Sequence, residues 1–166
     1  QMSDLLSDFG ISQIANKFTM EPTWTTVVST SEHLVAEDGA IIDTCFGGDH
    51  PAFDFISAER SKPGRNSDLV VIHSKPEWAG AHLEQEPAWV SQELSIMLNE
   101  TFNIRSSAVL SHRWRYARPT DPTVTTQKGI FQVESGLWIA GHYLAGGRVE
   151  GSFLAGLEAA ERLQTT

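Results

Sequence analysis

Apolar residues along this chain recur at two periods, and the alternation between those periods predicts an order of elements. Over residues 1–17, Leu5, Leu6, Phe9, Ile11 and Ile14 fall at mixed three- and four-residue spacing, which predicts a helical lead-in that Pro22 brings to an end. The β-branched run WTTVVST at 24–30 predicts a strand, and a second strand is expected at 40–43 after the EDG turn signal. CFGGDHP at 45–51 reads as a loop from its glycine pair and proline. In FDFISAE, Phe53, Phe55 and Ser57 alternate with Asp54, Ile56 and Ala58, the period of a strand lying on a core. SKPGRNSD at 61–68 is the strongest turn signal in the chain, and LVVIHS after it predicts a largely buried strand. A loop carrying Trp78 leads to a helix starting near Pro87, with Val90, Leu94, Met97 and Leu98 on one face. AVLSHRWRYARP alternates again as far as Pro119, GLWIAG predicts a short final strand, and 149–163 predicts a closing helix. No repeat or linker interrupts the sequence. Strands with few helices, then one strand-turn-helix, predict an α+β fold: a mostly antiparallel sheet with helices and an α/β-like ending.

Composition narrows what such a fold does. The 166 residues, 40% of them hydrophobic, suffice for an ordinary core. A formal charge of −9, from 12 Lys and Arg against 21 Asp and Glu, disfavours the broad basic surface that nucleic acid binding needs. The single cysteine, Cys45, cannot form a disulfide within the chain, which suits a reducing cytoplasm. No run of about 18 apolar residues suggests a membrane span, so neither membrane nor nucleic acid is expected as a partner. Cys45, Asp49 and His50 fall short of a zinc pattern, because no second clustered pair accompanies them. His73, ending an apolar strand, reads as a hydrogen-bonded core-edge histidine, and Glu77, Glu84 and Glu86 as a solvated acidic stretch.

Two stretches carry candidate chemistry. IAGHYLAGGRVEG at 139–151 crowds glycines around the closing strand-to-helix turn. Gly147, Gly151, Ala155 and Ala159 recur every four residues and form a stripe, while Val149, Phe153, Leu154 and Leu157 are expected to bury against a sheet. A helix start near Gly147 and Arg148 offers unpaired N–H groups and partial positive charge, which suits an electron-rich oxygen. The glycines serve either such a ligand or close helix-on-sheet packing. In SHRWRYARP, alternation sets His112, Trp114, Tyr116 and Arg118 on one face and Arg113, Arg115 and Ala117 on the other. Those aromatics either stack a planar substrate, with His112 orienting it, or form a core ladder with the arginines paired to surface carboxylates.

Three segments in order, SKPGR with LVVIHSKPEWAGAHLE, SHRWRYARP, and GLWIAGHYLAGGRVEGSFLAGLEAAERL, resemble the C-terminal half of the flavin-dependent amine oxidase superfamily. Within it they are most similar to the renalase-like NAD(P)/FAD-dependent oxidoreductases, and EPTW at 21–24 resembles the start of that family's substrate domain. The resemblance implies a substrate-binding domain over 1–135 and, over 136–166, a strand-turn-helix completing an FAD-binding domain. The GxGxxG half of that domain is absent from the sequence, and QMSDLL resembles an internal piece. It implies FAD contacts at Gly141, His142, Gly147, Arg148, Val149 and Glu150, and substrate contacts at His112, Trp114 and Tyr116. The family's Gly-Asp, whose carboxylate accepts a bond from the ribityl chain, is Gly141-His142 here; a neutral imidazole still accepts one bond. The implied reaction is hydride transfer from an amine or a dihydronicotinamide-type compound to flavin, with this chain silent by itself. The alternative is a non-catalytic interaction module, because the missing half would leave a bare sheet edge and an apolar helix face. Its partners would be that half or further copies of the chain.

Overall fold

The computed structural model describes residues 19–65, 67–121, 129–134 and 136–164, so the expected helical lead-in over 1–17 lies outside the described residues. The β-branched run forms β1 (Met20–Ser29), starting four residues before the pattern suggests. With β2 (Thr44–Phe46), β3 (Phe53–Ala58), β4 (Leu69–Ser74) and β5 (Ser107–Pro119) it makes a five-stranded antiparallel sheet in the order β2-β3-β4-β1-β5. The fold is α+β.

Three strand expectations change. Residues 40–43 contribute only an isolated bridge, Val35 to Ile41, closed by the turn at Gly39, whose φ of 84° is left-handed. The strand begins instead at Thr44 and takes in the start of the expected 45–51 loop, because Thr44, Cys45 and Phe46 find a ladder on Ser57, Ile56 and Phe55. In β3 the simple alternation fails: a register shift between Phe53 and Phe55 sends both Phe53 and Ile56 into the core and leaves Phe55 half-buried. A bulge flips the facing of every later residue, which no periodicity count anticipates. β4 is buried on one side only, through Val70, Ile72 and Ser74.

Trp78 sits on a short helix, α1 (Pro76–Ala81), rather than in a loop; proline begins it, and Trp78 and Ala79 are buried. α2 (Pro87–Phe102) starts at Pro87 as expected and stops at Asn103, which adopts a left-handed φ of 52°. Val90, Leu94 and Leu98 are fully buried in one core with Trp24, Val28, Ile56, Val70 and Ile72. Each such side chain contributes about 1.5–3 kcal/mol through burial. Hydroxyl pairs fix the layers: Ser91 to Ser111 at 2.9 Å, Ser95 to Ser106 at 2.8 Å and Thr26 to Ser111 at 2.5 Å.

Contacts gather Pro22–Arg115 into one unit and the described residues 19–21, 116–121, 129–134 and 136–164 into a second. The second unit contains a hairpin, β6 (Ile130–Glu134) against β7 (Leu137–Ala140), a 3-10 turn at His142–Ala145, and α3 (Val149–Gln164). β7 and α3 match the expected closing strand and helix; β6 has no counterpart in the sequence reading. α3 corrects another expectation: its Gly151–Ala155–Ala159 stripe faces inward and its large apolar residues outward. Val149 is 88% and Phe153 67% exposed, while Ala155 is buried. Close approach decides this, since a Cβ on Gly151 would lie 2.3 Å from the carbonyl oxygen of Ala145 and Gly129 packs against Ala155. Among the described residues no helix is long and apolar enough to cross a membrane.

Candidate functional site

β-ladder register brings together a row of side chains on the sheet face opposite α2. Residues directly opposed in an antiparallel ladder share a face. Phe46 opposes Phe55, Phe55 opposes His73, and His73 opposes Thr25. β5 extends the row through Trp114, whose Nε1–H donates to Thr25 Oγ1 at 3.0 Å. Strand spacing of about 4.8 Å makes the row roughly 19 Å long. Its rings lie near one another: Phe46 and Phe55 at 5.4 Å, Phe55 and His73 at 6.2 Å, and His112 edge-on to Trp114 at 4.4 Å.

The middle of the row is a hydrogen-bonded relay. Thr25 Oγ1 also lies 3.0 Å from His73 Nδ1. An indole N–H only donates, so Thr25 Oγ1 accepts from Trp114, and its own proton is free for Nδ1. All three groups are then satisfied with the imidazole proton on Nε2. Burial pushes His73 below the ordinary imidazole value; the negative charge of Asp54 opposes that and the charge of Lys62 adds to it. By holding the indole nitrogen over β1, the relay also leans Trp114 across the sheet, and its side chain remains 50% exposed. A tilted, half-open indole beside an imidazole suits a planar heteroaromatic ring, which stacks on the one and hydrogen-bonds the other.

Among the residues nominated from sequence, His112 and Trp114 meet on this face, and Tyr116 is exposed on the part of β5 assigned to the second unit. The core-ladder reading of these aromatics is overturned, because the buried face of β5 carries Ser111 and the half-buried Arg113 instead. The pairing half of that reading stands: Arg115 makes a two-pronged contact with Glu84 at 2.6 and 2.8 Å, Arg113 meets Glu84 at 3.5 Å, and Arg118 meets Glu21 at 3.1 Å. Those contacts hold Glu84 below the usual carboxylate range, so it is exposed yet paired. Thr25, Phe46 and Phe55 went unnominated. Their signal was present as outward positions of three strands, but only register aligns them. His73 is the hydrogen-bonded edge histidine expected, now seen within the row.

At the closing corner the glycines answer to their own chain. A Cβ on Gly147 would meet Pro119 Cδ at 2.3 Å, one on Gly151 would meet the Ala145 oxygen, and one on Gly141 would lie 2.6 Å from the Tyr143 ring. Gly147 also needs its left-handed φ of 74°. Its N–H donates to the His142 oxygen at 2.7 Å, and His142 itself is half-buried and edge-on to Tyr143 at 5.9 Å. Burial pushes the Tyr143 hydroxyl up. Arg148, Val149 and Glu150 are exposed, and the first helical bond runs from the Ser152 N–H to the Arg148 oxygen at 3.0 Å. The N–H groups of Val149, Glu150 and Gly151 therefore lack an acceptor within the helix. This open end fits a flavin carbonyl oxygen at 148–150, whereas at Gly141 the neighbouring space belongs to Tyr143.

Among the described residues no group of three or more His, Cys, Asp or Glu could hold a metal ion. His50 is occupied structurally: its Nδ1 accepts the N–H groups of Ala52 and Phe53 at 3.2 and 3.1 Å, and its ring stacks on Phe53 at 3.9 Å. No protein-family model matches the chain.

Proposed function

We propose that this chain is the substrate-domain portion of a renalase-like flavin-dependent oxidoreductase, and that the open sheet face binds a planar amine or dihydronicotinamide-type substrate. The observation that carries the reading is the Trp114–Thr25–His73 relay, which fixes a half-exposed indole beside a neutral imidazole. In this reading Trp114 stacks the substrate ring, and His73 with His112 orients its polar edge. FAD would be held at Arg148, Val149 and Glu150, where the α3 N-terminus offers unpaired donors to a ring oxygen, while Gly141 and Gly147 pack against Tyr143 and Pro119 of their own chain. When bound, the flavin supplies the hydride acceptor; the protein binds and orients, and no side chain need act as acid or base. The chain alone is expected to be inactive, because it carries no GxGxxG segment for the cofactor's adenosine.

The test uses the intact chain and 1-methyl-1,4-dihydronicotinamide as a probe in an NMR titration. The indole N–H signal assigned to Trp114, by its loss in Trp114→Phe, should shift saturably while that of Trp89 stays in place. A shift spread equally over all indoles, or none at Trp114, overturns the substrate assignment. An in-frame GxGxxG segment upstream in the gene would support the flavin assignment, and its absence would count against it. A second reading, a non-catalytic interaction module, draws on the outward apolar face of α3.

A further inference from the structure

α3 turns its apolar side chains to solvent, and their arrangement is regular. Its inward face, built from Gly151, Ala155, Glu158 and Arg162, is already engaged: Glu158 and Arg162 pair at 2.8 Å, and the Arg162 guanidinium lies over Trp138 at 5.6 Å. On the opposite side Phe153 and Leu157 form a ridge at four-residue spacing, and Leu163 stands further along. Next to that ridge runs a furrow of Ser152, Gly156 and Ala160, also four apart and all exposed. A Cβ at Gly156 would meet nothing within 4 Å, so the furrow is open. None of these six residues is charged.

A ridge beside a furrow of the same pitch is complementary to its own copy after a two-fold rotation. We infer that this face of α3 pairs with α3 of a second copy of the chain, antiparallel, the Phe153–Leu157 ridge of each protomer lying in the Ser152–Gly156–Ala160 furrow of its partner. Centring the two-fold beside Gly156 sets Phe153 of one protomer level with Ala159 of the other, so each ridge runs along its partner's furrow. Leu163 then lies level with Val149 of the other protomer, so the pairing and flavin binding at 148–150 would exclude one another, and sedimentation reads the first without the second.

Area supports a second copy as the occupant. The exposed parts of these side chains amount to roughly 500 Å², near the upper end of patches that monomers tolerate. Two copies would bury about 1,000 Å² in all, the lower bound for a specific interface, so a dissociation constant on the order of micromolar is expected. Gly156 is the position that permits close approach, since any larger residue would stand in the furrow.

Sedimentation equilibrium on the full chain, over a wide concentration range, tests this. The wild-type chain should pass from monomer to dimer and no further. Phe153→Asp changes an exposed side chain, so the fold should persist by circular dichroism while dimerisation weakens at least a hundredfold. Gly156→Leu should weaken it at least tenfold. Ile41→Asp, an exposed apolar position outside α3, should leave the dimer intact. A chain monomeric at every concentration, a dimer indifferent to both α3 variants, or one broken equally by Ile41→Asp overturns the inference.

Discussion

Replacing Thr25 by valine removes one oxygen and leaves the side-chain volume nearly unchanged, so it isolates the relay. Trp114 Nε1–H loses its acceptor and His73 Nδ1 loses its hydroxyl partner, both at 3.0 Å. A net hydrogen bond is worth about 0.5–1.5 kcal/mol. Trp114 is half-exposed and recovers water, and valine gains a few tenths of a kcal/mol in a strand, so the loss should come to about 1 kcal/mol. With a urea slope of about 1–3 kcal/mol/M, the unfolding midpoint should fall by roughly 0.3–1 M. The local consequence is more specific: the Trp114 indole N–H resonance should move toward its solvent-exposed position and exchange faster, and stacking of a planar ligand should weaken severalfold. Thr25→Ser keeps the hydroxyl and should keep the resonance. If Thr25→Val leaves both the midpoint and that resonance where they were, the relay does not hold Trp114 and the site loses its organising contact.

Gly147→Ala puts an alanine at left-handed φ and a methyl against Pro119, so at least about 2 kcal/mol of stability should be lost in a urea titration followed by circular dichroism. Leu94→Ala hollows the core beneath the sheet and should cost about 2–5 kcal/mol, while Ile96→Ala on the exposed side of the same helix should stay within about 0.5 kcal/mol. Acidification gives a signed prediction. His50 and His73 both have folded values held below the ordinary 6.5, by burial first and by Lys75 and Lys62 respectively, so the unfolded chain binds more protons in that window. Their stabilisation is complete above about pH 6.5 and declines as pH falls toward the folded values, with His73→Gln expected to flatten the decline in melting curves. Glu59, held below the ordinary 4.5 by Lys62 and Arg65, adds a separate loss only as pH falls from about 4.5 through its folded value; an Arg65→Met profile lacking any change in that acid limb would refute its role.

Read from the sequence, local chemistry was legible where one element decides its own form. LVVIHS spans β4 without error, Pro87 starts α2, and Val90, Leu94 and Leu98 occupy the face their spacing assigns, because proline geometry and a 3.6-residue period act within a few residues. Pairing of Arg115 with a carboxylate was equally foreseeable, since a guanidinium on a strand face seeks one. The bulge between Phe53 and Phe55, the outward turn of Phe153 and the alignment of Phe46, Phe55, His73, Thr25 and Trp114 belong to tertiary structure alone. Each depends on which backbone lies opposite: a partner strand sets register, and Ala145 pressed against Gly151 decides which side of α3 faces inward. A hydrophobic pattern records which residues prefer burial; it does not carry the distance to the neighbour that must accept them.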